Sequence, residues 1–158
     1  MRPTKSIASL VVAVLVLSAW STNSNAPQEG DACMLLTPAQ VSAALGATVE
    51  AGKRVVSSSP RVCGWAPPGG PHIDAKKVTL TLMTVKSFET SKTPVESIEK
   101  APLSGVGDDA IYITTGGFGT ALNVKKGNSA FQVRVGGFKP QQEKEIEKSL
   151  ALEILKKL

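Results

Sequence analysis

The chain has 158 residues, 42% of them apolar, 20% charged and 4% aromatic, with a formal net charge of +5. Such a length and apolar share fit one globular domain with its own core and exclude a disordered chain. The charges are interleaved, as in Glu143, Lys144, Glu145, Glu147 and Lys148, and aromatics are few, which excludes a nucleic-acid partner: that needs clustered basic residues with stacking rings.

Met1 to Lys5 is a basic start, and Ile7 to Trp20 is an uncharged apolar run. The run is shorter than the ~20 residues a bilayer span needs, and it fits the apolar region of a signal peptide. Small and polar residues follow to Ala26, so residues 1–26 read as a signal peptide. Two cleavage points are open, after Ala26 or within Ala19-Trp20-Ser21. Leu17-Ser18-Ala19-Trp20 has the form of a lipoprotein box with Trp20 in place of the lipid-bearing cysteine. No thioether to lipid can form there, so membrane attachment is expected only through an uncleaved leader. The localisation expected is exported, periplasmic or extracellular. Without Arg2 and Lys5 the remainder has 16 basic and 13 acidic residues, a net charge of +3.

Residues 27–32 are a polar linker, and 33–158 form the expected domain. Cys33 and Cys63 are the only cysteines. An even pair behind a signal peptide reads as a disulfide. Two isolated cysteines do not complete a zinc site, and no C-x-x-C is present.

Thr37, Pro38 and Gln40 make a helix start with a capping box, flanked by Leu36 and Val41 as a staple, and Gly46 stops the helix. Val49 to Val56 has strand character, followed by a turn at Ser57 to Pro60. Arg61 to Ala66 is a strand carrying Cys63 and Trp65 on one face. Pro67 to Pro71 is an exposed loop. Lys77 to Val85 alternates as a strand should. Thr93-Pro94-Val95-Glu96 repeats the capping logic and predicts a short helix from Pro94 to Ala101. Ala110 to Thr114 is a strand, Gly116 to Gly119 a turn, and Thr120 to Lys125 with Ser129 to Val135 a hairpin. Phe131, Val133 and Val135 face inward there, and Gln132 and Arg134 outward. In the last helix, from Pro140, Ile146, Leu150, Ile154 and Leu158 recur every fourth residue. Glu143, Glu147, Lys144 and Lys148 fall on its solvated side.

The fold class this predicts is α+β: an antiparallel sheet of five to six strands with helices packed on one face, and an α-β-β-β pseudo-repeat.

Gly105-Val106-Gly107-Asp108-Asp109-Ala110 matches the glycine pattern of dinucleotide sites, but a strand follows where a helix is required. It reads as a turn, with Asp108 and Asp109 stabilising it. No cofactor and no metal is implied. His72, the only histidine, has Asp74 near it but no fixed nucleophile, and reads as a solvated loop residue. Trp65, Pro68, His72 and Phe118 are the candidate binding positions, because recognition concentrates on Gly/Pro-rich loops.

The series Cys33-Met34-Leu35-Leu36-Thr37, Val41, Ala44-Leu45-Gly46, Cys63-Gly64-Trp65 and Gly105 to Ala110 resembles small exported bacterial lipoproteins of unknown function. The resemblance implies a Cys33–Cys63 bridge, an envelope location and a sheet-plus-helix domain, and it supplies no activity. Trp20 departs from it. The function expected is therefore a non-catalytic envelope binding or accessory protein, its partner an envelope protein or a small apolar ligand. A purely structural envelope component and a hydrolase-type enzyme using His72 are the alternatives.

Overall fold

The computed structural model describes residues 30–69 and 75–158. Residues 1–29, with the expected signal peptide and Trp20, and the stretch bearing His72 and Asp74 lie outside them. A 3-10 turn, Ala32–Met34, opens the domain, with the Asp31 side chain accepting from the Cys33 amide. Helix α1, Pro38–Leu45, has the capping box its sequence predicts: Thr37 accepts from the Gln40 amide, and Gln40 answers the Thr37 amide. Gly46 ends it in the left-handed region at φ 60°, where glycine has no Cβ penalty.

Strands β1 (Lys53–Arg54), β2 (Val62–Trp65) and β3 (Lys77–Met83) form one antiparallel meander, and β4 (Ile98–Pro102), β5 (Asp109–Thr115), β6 (Gly119–Lys126) and β7 (Ser129–Gly136) a second. The meanders join where β3 pairs antiparallel with β7, from Lys77↔Gly136 to Met83↔Ala130. The result is one seven-stranded sheet in the order β1-β2-β3-β7-β6-β5-β4, with one or two more strands than the sequence suggested. The extra strand is β4. Residues Pro94 to Ala101 do not form the predicted helix: Ile98–Pro102 pairs with β5 and covers an edge that would otherwise show unpaired amides.

The second helix, α2, lies earlier, at Val85–Ser91, and Thr84 caps it by accepting from the Ser87 amide. It also covers the opposite face from the other helices, so the helices are not confined to one face. The main core joins Val78, Leu80, Leu122, Val133, Val41 and Leu150, and so unites one sheet face with α1 and α3 (Pro140–Leu155). Phe88 of α2 instead packs with Ile111, Ala130 and Met83, which point the other way by the two-residue alternation of strands. With three strands after α1, four after α2, and these helices on opposite faces, the halves are not an α-β-β-β repeat.

Cys33 and Cys63 form a disulfide with their Cα atoms 5.1 Å apart, tying the 3-10 turn to β2. Trp65 sits on the same face as Cys63, and both are buried. Gly52 packs against them so closely that an added Cβ would stand 2.7 Å from the indole and 2.8 Å from the Cys63 sulfur. Gly105-Val106-Gly107 is the expected turn into β5. Asp108 accepts from the Gly127 amide at 2.6 Å, and Asp109 pairs with Lys92 at 2.7 Å.

Candidate functional site

The β6–β7 pairing ends at Leu122↔Val133. Two residues further in register, Thr120 stands opposite Val135. In a regular antiparallel ladder these two would exchange N–H···O bonds. Here both amides turn to helix α3 instead. The Thr120 amide donates to Glu143 Oε2 at 3.2 Å, and the Val135 amide to Glu147 Oε1 at 3.1 Å. The Thr120 hydroxyl donates to Glu147 Oε1 at 3.0 Å. The sheet splits at this end, and two carboxyl groups from one helix serve the amides that the split leaves without ladder partners.

Glu147 is wholly buried and Glu143 nearly so. Their charge predicts the solvated side of α3 for both, and the structure reverses that expectation. Leu150, Ala151 and Ile154 do face the sheet. Counting towards the N-terminus from them by four and seven residues lands on Glu147 and Glu143, so the helical period itself carried the signal. Charge outweighed it because glutamate is almost never buried without partners. Here the partners are backbone donors on the sheet.

Burial pushes the Glu147 carboxyl up to about 7, and the negative charge of Glu143 pushes the same way. Hydrogen bonds from Val135 and Thr120, and the positive charge of Arg134, oppose that rise. Glu147 Oε2 is sealed from solvent and has no partner among the described residues. An acid that keeps its proton suits such an oxygen better than a carboxylate does. Tyr112, on β5, donates to the Lys144 carbonyl at 2.7 Å. Its phenol is pushed up to about 12 by burial and by the charges of Glu147 and Glu145.

An open cleft of about 620 Å³ lies at the split. Strand β3 gives it Lys77 and Thr79, and the turn between β5 and β6 gives it Thr115 to Gly119 with the Phe118 ring. Strand β7 and the segment after it give Arg134, Gly136, Gly137 and Phe138, and α3 gives Pro140 and Glu143. Phe118 is 77% exposed at the tip of its turn. The Phe138 ring is half-buried, with Lys76 Nζ 4.9 Å from its centre. Gly119 fixes the spacing between turn and helix: its φ is 79°, and a Cβ there would lie 2.9 Å from Glu143 Oε2.

A second, smaller groove of about 410 Å³ runs along β1 to β3 and is bounded by Val55, Gly64, Trp65 and Lys53. It shares Lys77 and Thr79 with the cleft. Of the positions the sequence singled out that lie among the described residues, Trp65, Pro68 and Phe118, only Phe118 lines the cleft. Trp65 is a core residue of β2 rather than a loop residue, with one edge on the second groove. Pro68 is exposed in the turn after β2, away from both. His72 lies outside the described residues.

Among the described residues no helix is long and apolar enough to cross a membrane. No protein-family model matches the sequence, no curated protein matches it, and no solved structure matches the chain.

Proposed function

We propose that the protein is a non-catalytic binding module of the cell envelope, working outside the cytoplasm and holding its ligand in the cleft at the split end of the sheet. The Cys33–Cys63 bridge supports that compartment, because disulfides form and persist in oxidising surroundings. The observation that carries the binding reading is the cleft. Its volume lies in the range of small-molecule sites, roughly 300–1,000 Å³. Among the described residues its walls combine two aromatic rings, two cationic side chains and one carboxyl group. The sheet–helix interface, by contrast, is filled by side chains such as Leu80, Val133 and Leu150. A ligand that is amphipathic rather than wholly apolar fits such walls.

The test is a two-dimensional NMR screen of the oxidised protein against a set of small amphipathic compounds. Binding should move the amide signals of Thr79, Thr115 to Gly119 and Arg134 to Phe138. Shifts that fall only around Val55 and Trp65, or no shifts at all, would refute this reading.

A further inference from the structure

Three chemical functions meet in the cleft, each on a different element. The first is cationic. Thr79 pairs directly with Arg134 across the β3–β7 seam, so Lys77 is diagonal to Arg134 on the same sheet face. Such diagonal neighbours stand about 7–8 Å apart, their Cβ atoms somewhat closer, within the reach of two long side chains. Neither side chain forms a salt bridge among the described residues. The planar fork of Arg134 suits a carboxylate, which it can hold through two parallel bonds.

The second function is an acceptor. Thr120 occupies Oε2 of Glu143, while Oε1 has no hydrogen-bond partner among the described residues. Glu143 lines the cleft, and Oε1 is not one of the sealed orphan atoms, so it is left to accept from whatever enters. The third function is the apolar surface of Phe118, at the tip of a glycine-rich turn. The N-terminus of α3, which has no side-chain cap, also lines the cleft at Pro140, and its dipole adds to the attraction for an anion.

We propose that the cleft binds an amino-acid carboxylate end. The carboxylate goes to Lys77 and Arg134, the neighbouring N–H to Glu143, and an apolar side chain to Phe118. This rests on the cleft being the binding site. A free amino acid and the C-terminus of a peptide share the chemistry. A multiply charged anion such as phosphate fits less well, because among the described residues Lys77, Arg134 and Glu143 give the lining a net charge of only +1.

The experiment is an NMR titration of the oxidised protein with N-acetyl-phenylalanine, its carboxamide, 3-phenylpropionate and free phenylalanine. N-acetyl-phenylalanine should bind at least about tenfold more tightly than the carboxamide, the size expected for a charge-assisted bond. It should also bind more tightly than 3-phenylpropionate, which has no N–H. Arg134→Gln, at an exposed side chain, should sharply reduce the preference for acid over carboxamide, with Lys77 left as the cation facing the carboxylate among the described residues. Stronger binding of the acetylated probe than of free phenylalanine assigns a peptide end, and the reverse assigns a free amino acid. Equal binding of acid and carboxamide in the cleft overturns the carboxylate assignment and leaves the cleft as a binding site. If none of the four probes moves the cleft signals while other amphipathic compounds do, the proposal again fails alone. If nothing moves them, both readings fail.

Discussion

Glu147→Gln isolates the ionisation of the buried carboxyl group. Glutamine keeps an oxygen for the Val135 amide and the Thr120 hydroxyl, and it cannot ionise. In the folded protein Glu147 titrates at about 7 against an ordinary value of 4.5. Between those values the folded state holds a proton that the unfolded state has released. Stability from this group is therefore complete below the unfolded value and is lost as pH rises through the folded one. At about 1.4 kcal/mol per pH unit, the shift amounts to roughly 3 kcal/mol between pH 4.5 and pH 8. The glutamine variant lacks that slope.

The assay is urea unfolding of both proteins from pH 4 to pH 9, followed by the fluorescence of Trp65. At low pH the two should lie within about 1–3 kcal/mol of each other, because the protonated Oε2 of the wild type and the amide NH₂ of glutamine each leave a buried donor without a partner among the described residues. The stability of the wild type relative to the variant should fall by roughly 3 kcal/mol as pH rises from 4.5 to about 7 and stay level above that. Groups facing Glu147 from its neighbours, namely Glu143, Arg134 and Tyr112, are present in both proteins, so their own pH dependence largely cancels in the difference. A difference that stays level within about 0.5 kcal/mol from pH 4.5 to pH 8, the scale on which independent effects add, would refute the account. Glu147 would then be an ordinary carboxylate held by Thr120 and Val135.

Gly119→Ala combines a left-handed backbone with a Cβ driven against Glu143, so a loss of at least ~1–2 kcal/mol is expected from backbone strain alone. Gly116→Ala, where a Cβ meets open space, should stay within about 0.5 kcal/mol of wild type; thermal denaturation of the two variants makes the comparison. Replacing both Cys33 and Cys63 by serine should cost roughly 3–4 kcal/mol by loop-closure entropy across 30 residues of separation, read by denaturant unfolding. Phe88→Ala should cost about 3–5 kcal/mol. Because Phe88 is the buried residue of α2, hydrogen exchange should show faster opening at Val85 to Ser91 than in α1.

The elements that could be read from sequence are those whose signals are local. The Thr37–Gln40 box and Gly46 fix α1 within its own turns, and the alternation of Phe131, Val133 and Val135 fixes which side of β7 faces the core. The second helix was decided elsewhere. Thr84 and Thr93 both offer caps, and the choice falls to Thr84 because Phe88 finds a bed on Met83, Ile111 and Ala130 while Ile98–Pro102 finds a partner in β5. Neither partner is near in sequence. For the cleft, Phe118 stood out as an apolar residue in a glycine turn. Lys77 and Arg134 become neighbours only through the β3–β7 pairing. The helical period places Glu143 and Glu147 on the inward face of α3, but the amides that satisfy them there come from Thr120 and Val135, where the sheet opens.

The joint between the two meanders also bears on how the chain reaches its native state. Every other strand pairing links segments that follow one another, but β3 and β7 bring together residues 47 to 59 positions apart. Closing so long a loop is entropically demanding, and topologies rich in distant pairings fold slowly. Each meander can begin to form by itself, yet Lys77, Thr79 and Arg134 share a surface only after the joint has closed. The cleft thus depends on this distant pairing, and a chain arrested before the joint closed would possess both halves of the sheet and no cleft.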